Sequence, residues 1–158
     1  MSTVKEAVDV EVPVRVAYGQ WTQFEDFPNF MEGVEEVRQL DDRHNHWITS
    51  IGGVRREFDT EIVDQLPDDR ITWRSIAGET QQRGSVRFQR LDDMHTRVEL
   101  TMDVEPSGLA EKGADALGMI DRRVKGDLRR FKDYVERGGG AGGGWRGRIR
   151  PGDPGTTL

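Results

Sequence analysis

The chain has 158 residues, the length of one ordinary domain, and can bury about 70% of its unfolded surface without staples. It has no cysteine, which excludes disulfides, thiolate metal sites and cysteine nucleophiles. Lys and Arg total 23 against 29 Asp and Glu, and the net charge of −6 argues against non-specific binding to nucleic acid or an anionic membrane, which needs excess positive charge.

Val4, Val8, Val10 and Val12 share one parity, the pattern of a half-buried strand. The segment 1–12 is acidic and alternating, unlike a signal peptide. No apolar run is long enough for a membrane span, so a cytoplasmic protein is expected. Pro13 suits a first helical turn. Val14, Ala17, Trp21 and Phe24 then follow at helical spacing. Phe27-Pro28-Asn29-Phe30 breaks the stripe, and a second short helix is expected before Gly33.

Six strands with clear punctuation follow. The first covers 34–40, and His46 to Ile51 comes after the Asp41-Asp42-Arg43 turn. Gly52-Gly53 signals a hairpin. Residues 54–66 alternate as Val54, Arg56, Phe58, Thr60 and Ile62, and end at the turn Pro67-Asp68-Asp69. Ile71, Trp73 and Ser75 share a face; so do Gly84, Val86 and Phe88; so do Val98, Leu100, Met102 and Val104. Short connections imply an antiparallel meander. A long helix is expected from an N-cap at Ser107 to about Arg137, on the stripe Leu117, Ile120, Val124, Leu128, Phe131 and Val135, with Gly138 as its stop. Residues 138–158 hold nine of the 19 glycines and read as a flexible Gly/Arg-rich tail of net charge +2. Trp145 and Ile149 are its large apolar residues before Leu158, and they suit docking on the body or on a partner.

The run from Val12-Pro13 through Ala17-Tyr18, Trp21-Thr22 and Phe24 to Phe27-Pro28 is the most specific stretch, supported by Ile71-Thr72-Trp73-Arg74-Ser75 and the 107–137 helix. With this element order it resembles the START/Bet v 1-like (SRPBCC) superfamily, in its polyketide cyclase/dehydrase and coenzyme Q-binding branch. The resemblance implies an α+β helix-grip fold over 1–137. A curved seven-stranded antiparallel sheet would wrap a long C-terminal helix, with two short helices after the first strand. That superfamily mixes lipid carriers, cyclases, hydrolases and ligand sensors, so fold does not decide function.

A curved sheet and a helix cannot interdigitate along their whole length, and the gap makes a mainly apolar pocket. Gly108, Ala110, Gly113, Ala114, Ala116 and Gly118 fill the first half of the long helix. They give either close packing on the sheet or room for a ligand there. Each of Trp21, Phe24, Phe27, Phe30, Trp47, Phe58, Trp73 and Phe88 suits plain core; together they suit the lining of a cavity for a planar or polyisoprenoid ligand. Met102, Gly113 and Leu117 complete the candidate ligand-binding set. Phe27 and Phe30 flank Pro28 in an expected rim loop, which would gate the pocket with the two short helices.

Arg56 falls in the apolar register between Val54 and Phe58, so it must reach solvent, pair with a carboxylate, or meet a ligand anion or carbonyl. If Trp47 points inward, so does Thr49; Thr60 and Ser75 also share apolar registers and can orient a ligand or bond locally. His44, His46 and His95 make no metal signature. No nucleophile elbow and no phosphate loop is present, and no cofactor is implied. Arg122-Arg123 and Arg129-Arg130, with Asp121, Asp127 and Asp133, read as a solvated helix face.

Three functions compete. The first is binding of a hydrophobic small molecule: a lipid, quinone or polyketide-like ligand. The second is an aromatase/cyclase acting on a poly-β-ketone, with Arg56 as the best catalytic candidate for stabilising an enolate and Thr60 or Ser75 relaying protons. Asp59 and Glu61 fall on the face opposite Phe58, so no acid–base pair stands inside the apolar register. The third is a protein-partner module that uses the tail.

Overall fold

Pro13 stands at the N-terminal boundary of the first helix with φ −58°, which presets the turn. In the computed structural model, which describes residues 2–51, 53–78, 81–104, 113–138 and 144–151, β1 (Ser2–Val10) leads into α1 (Val14–Trp21). Ala17, Tyr18 and Trp21 of α1 are buried. Phe24–Asn29 forms a 3-10 helix containing Pro28, whose missing N–H suits a short, tight turn better than a longer α-helix. A meander follows: β2 (Val34–Gln39), β3 (His44–Ile51), β4 (Val54–Leu66), β5 (Arg70–Gly78), β6 (Gln82–Asp92) and β7 (His95–Val104). The long helix α2 spans Gly113–Glu136.

The seven strands form one antiparallel sheet in the order β1-β7-β6-β5-β4-β3-β2. Chain neighbours β1 and β2 therefore stand at opposite edges, and α1 with the 3-10 helix makes the crossing between them. Register shifts in the β4–β5 ladder at Asp59/Thr60 and Ile62/Asp64 bend the longest strand and help curl the sheet. Architecture and element order match the helix-grip fold. The expected start of the long helix at Ser107 lies outside the described residues, with Gly108 and Ala110. Gly113 begins the described helix, and the side chains of 113–117, including Leu117, lie outside the description.

The core gathers where the second half of α2 meets α1. Val124, Leu128, Phe131 and Val135 are buried. The Phe131 ring lies 5.0 Å from Trp21 and 5.3 Å from Phe30 in edge-on contacts. Phe88 packs edge-on against Tyr18 and Trp21.

Residues 144–150 of the tail lie on the body. Ile149 is buried and exchanges two backbone hydrogen bonds with Gln65, N–H to O at 2.7 and 3.0 Å. The Trp145 backbone N–H donates to Thr22 Oγ1. Arg146 forms paired hydrogen bonds with Asp68 and lies over the Tyr18 ring. Gly144 has φ +73°, and a Cβ there would collide with the Gly19 carbonyl and the Thr22 hydroxyl, so glycine lets the segment approach α1. Trp145 and Ile149, the tail's large apolar residues, both pack against the core of the body.

Candidate functional site

A cavity of about 300 Å³ lies between the sheet and α2. Its strand wall is the inward face of β3 and β4, where cross-strand pairs alternate in character. From the buried end outward they are Asn45 opposite Thr60, Trp47 opposite Phe58, Thr49 opposite Arg56, and Ile51 opposite Val54. Asn45 and Thr60 are 2% and 1% exposed, whereas Ile51 and Val54 are 42% and 50% exposed. One ladder thus runs from floor to mouth, with bands polar, aromatic, polar and apolar. Successive bands are two residues apart, about 7 Å along the strands.

The aromatic band is flat: the Trp47 and Phe58 rings are near parallel, at 5° and 5.9 Å between centroids. The Trp47 indole N–H donates to Thr60 Oγ1 at 2.8 Å, which sets the indole's orientation. Ile62, Ile71, Trp73, Leu100 and Met102 extend the sheet wall, and Trp21, Phe24 and Phe27 border it beside the two short helices. Ile120, Val124 and Leu128 of α2 cover it. Met119, 46% exposed, joins Ile51 and Val54 in an apolar rim.

Of the expected site residues, Trp21, Phe24, Phe27, Trp47, Arg56, Phe58, Thr60, Trp73 and Met102 border this cavity. Three lie elsewhere. Phe30 turns under α2 against Phe131 and Tyr134, and Phe88 fills core beside Tyr18 and Trp21. Ser75 accepts a hydrogen bond from the Gln82 backbone N–H near the β5–β6 connection, a local bond. His44 pairs with Asp41 and His46 with Asp59 and Glu57, away from the cavity. The two carboxylates bonded to His46 raise its pKa above the usual imidazole value. Among the described residues no group of three or more ligating side chains is arranged to hold a metal ion.

The structure adds three polar groups that the sequence reading passed over. Asn45 shares parity with Trp47 and Thr49, but the strand was expected to start at His46; it starts at His44. Asp127 and Arg123, read as solvated, border the cavity instead. Asp127 stands three residues after Val124 and four before Phe131, so it belongs to the inward stripe; the adjacent charges hid that spacing.

Asp127 Oδ1 accepts from the Glu32 backbone N–H at 3.1 Å and from Arg130 Nη2 at 2.5 Å. Burial outweighs both and pushes its carboxyl from the usual 3.8 up to about 6. Arg123 donates to the Glu32 carbonyl at 3.0 Å, and Arg130 to the Phe30 carbonyl at 2.9 Å. Three side chains of α2 therefore hold the Phe30–Gly33 segment over the cavity. Gly33 has φ +93°, a conformation that favours glycine, and a Cβ there would sit 2.7 Å from Arg123 Nη1 and displace that guanidinium.

A curled seven-stranded sheet gripping a long helix over an apolar cavity defines a START-like helix-grip fold. The chain belongs to the polyketide cyclase/dehydrase and lipid transport family, whose profile matches residues 10–133. It is 52% identical over 149 residues to an uncharacterized 17.2 kDa protein of Streptomyces lincolnensis, covering 94% of this chain and 99% of that one. Its fold is similar to the Zhui aromatase/cyclase from Streptomyces sp. R1128, with TM-score 0.72 and 16% identity over 86% of this chain and 94% of that one. It is also similar to a START superfamily protein from Mycobacterium smegmatis, with TM-score 0.64 and 16% identity over 81% and 97%. The family supports a hydrophobic-ligand or cyclase role. None of the described helices is long and apolar enough to cross a membrane.

Proposed function

We propose that the protein binds a hydrophobic small molecule, of lipid, quinone or polyketide-like class, in the cavity between the sheet and α2. The cavity itself carries this reading. Protein interiors pack like crystals, and space equal to about ten water molecules is not left in a core by default. Its wall is mostly apolar, so the gain on binding is burial of ligand surface, about 2.5 kcal/mol gross per 100 Å². The exposed rim of Ile51, Val54 and Met119 gives an apolar ligand a path of entry. Native mass spectrometry of the purified chain, followed by solvent extraction, tests it. A released or added apolar molecule bound at one per chain is expected, with affinity weakened by Phe58→Ala. A chain that is empty and takes up no apolar compound overturns the reading.

A second reading, an aromatase/cyclase acting on a poly-β-ketone, draws support from Asp127. Its carboxyl, near neutrality at the cavity wall, suits general acid–base work that the strand registers alone do not supply. Arg56, on the same cavity, suits stabilisation of an enolate. In a cyclisation assay, Arg56→Ala and Asp127→Asn would each abolish turnover while substrate still binds. Undiminished turnover in both removes this reading.

A further inference from the structure

We infer that segment 31–33 is the gate of the cavity, that Arg123 and Asp127 of α2 form its clasp, and that the gate is held shut in acid and released as Asp127 ionises. The inference rests on the reading that the cavity holds an apolar small molecule, and it adds how the entry and exit of that molecule are controlled.

Both backbone polar groups of Glu32 are taken by side chains of α2. Its N–H donates to Asp127 Oδ1 at 3.1 Å, and its carbonyl accepts from Arg123 at 3.0 Å. Its carboxylate adds a looser pairing with Arg130 at 3.6 Å. Arg123 and Asp127 are four residues apart, so they stand in one row along the helix. Met119, four residues before Arg123, continues that row to the exposed rim. On the strand side, a Cβ at Gly33 would lie 3.2 Å from Ile51. Segment 31–33 therefore crosses the mouth from α2 to β3, and its residues border the cavity. Both of its flanks are fixed. Phe30 is buried against Phe131 and Tyr134, and the Gly33 carbonyl accepts from the Ser50 backbone N–H at 2.7 Å. Between these fixed points Glu32 is exposed and hangs on the clasp.

The Asp127 side chain is 14% exposed. The charged groups around it are Arg123 and Arg130 on its own helix and Glu32 on the segment; Arg56 of β4 borders the same cavity. Burial outweighs the cations and holds the carboxyl of the closed gate at about 6. Lifting the segment lets water reach the carboxylate and returns it toward the ordinary 3.8. The closed gate therefore binds this proton more tightly than the open one, so acid favours closure. As pH rises from about 4 to about 6, ionisation shifts the balance toward the open gate.

The probe is N-phenyl-1-naphthylamine, a neutral apolar dye that brightens in apolar surroundings and does not titrate between pH 4 and 7. Stopped-flow fluorescence gives its entry and exit rates in the full chain, in Arg123→Met and in Asp127→Asn. A gate that is mostly shut moves both rates together and leaves their ratio, the Kd, nearly fixed, whereas a wall residue moves the Kd. In the parent both rates should rise about tenfold or more from pH 4 to pH 7, within the roughly hundredfold that a carboxyl moving between about 6 and 3.8 allows. In Asp127→Asn this pH dependence should vanish. Arg123→Met keeps the apolar stem and removes the donor; it should raise both rates about tenfold at each pH, the loss of one charged hydrogen bond. Parent rates that stay flat or fall as pH rises, or a pH dependence that survives Asp127→Asn, overturn the inference and leave the hydrophobic-ligand reading standing. So does an Arg123→Met that changes the Kd and not the entry rate. A parent that takes up no probe overturns both. Should a variant fail to fold, the parent's pH series decides, together with hydrogen exchange at the Glu32 amide, whose opening must follow the same pH dependence.

Discussion

Trp47 donates its indole N–H to Thr60 Oγ1 at 2.8 Å, diagonally across the β3–β4 ladder. The bond joins the aromatic band to the polar floor of the cavity. Thr60→Val keeps the β-branched shape and removes the acceptor. We expect a loss of about 1–2 kcal/mol, the cost of a mostly buried N–H left unpaired. At about 2–4 °C per kcal/mol for a chain of this size, thermal unfolding will register it. An unchanged Tm would mean that the indole finds another acceptor.

Phe131 and Phe58 are both buried but differ in what surrounds them. Phe131 is 0% exposed and ringed by Trp21 and Phe30. Phe58 has the cavity on one side. Truncation costs transfer energy plus packing with neighbours, and a side chain facing empty space has fewer neighbours to lose. Phe131→Ala should therefore destabilise by about 3–5 kcal/mol and Phe58→Ala by less. Urea unfolding of the two variants ranks them, and the reverse order would contradict the assignment of the void.

Asp127 makes stability depend on pH in an unusual direction for a carboxylate. Its folded pKa, about 6, is above the ordinary 3.8. The folded chain thus holds this proton more tightly than the unfolded chain. The group's contribution to stability falls as pH rises from about 4 to about 6 and is flat above that. Asp127→Asn removes this dependence. The stability of Asp127→Asn relative to the parent should rise across that window by up to about 3 kcal/mol. Denaturation curves for both at pH 4, 5, 6 and 7 measure it. A difference that shrinks with rising pH would show the Arg130 pairing to dominate instead.

The docked segment offers a contrast between charge and burial. Arg146 and Asp68 are paired, but their side chains are 36% and 33% exposed. Pairs this wet contribute about 0–1 kcal/mol. Ile149 is buried and carries two backbone hydrogen bonds with Gln65. Ile149→Ala should cost about 2 kcal/mol or more, and Arg146→Ala under about 1 kcal/mol. Hydrogen exchange at the Gln65 amide, which donates to the Ile149 carbonyl, should accelerate in Ile149→Ala and little in Arg146→Ala. Equal acceleration would assign the docking to the ion pair.

Much of this molecule was legible from local pattern. Alternation placed Val54, Arg56, Phe58 and Thr60 on one face, and all four border the cavity. The 3.6-residue stripe put Val124, Leu128, Phe131 and Val135 in the core. Both periods arise within one element, from the pleat and the helical turn, so they show in residues a few positions apart.

What the tertiary structure decided depends on residues far apart in the chain. Parity assigned Phe88 and Ser75 to a face. It could not say whether that face met the void, α1 or a neighbouring backbone amide. The β3–β4 register set Asn45 opposite Thr60, at the closed end. The seat of α2 turned Asp127 from an expected surface charge into a wall residue with a raised pKa. Ile149 stood out as an apolar residue in the tail, but its seat on Gln65, 84 residues away in the chain, is specified by no local signal. The sequence by itself determined the elements and their inward faces, because each is a short-range property of the backbone. Where those faces leave a void, and which polar groups stand in it, is a balance over the whole packed molecule.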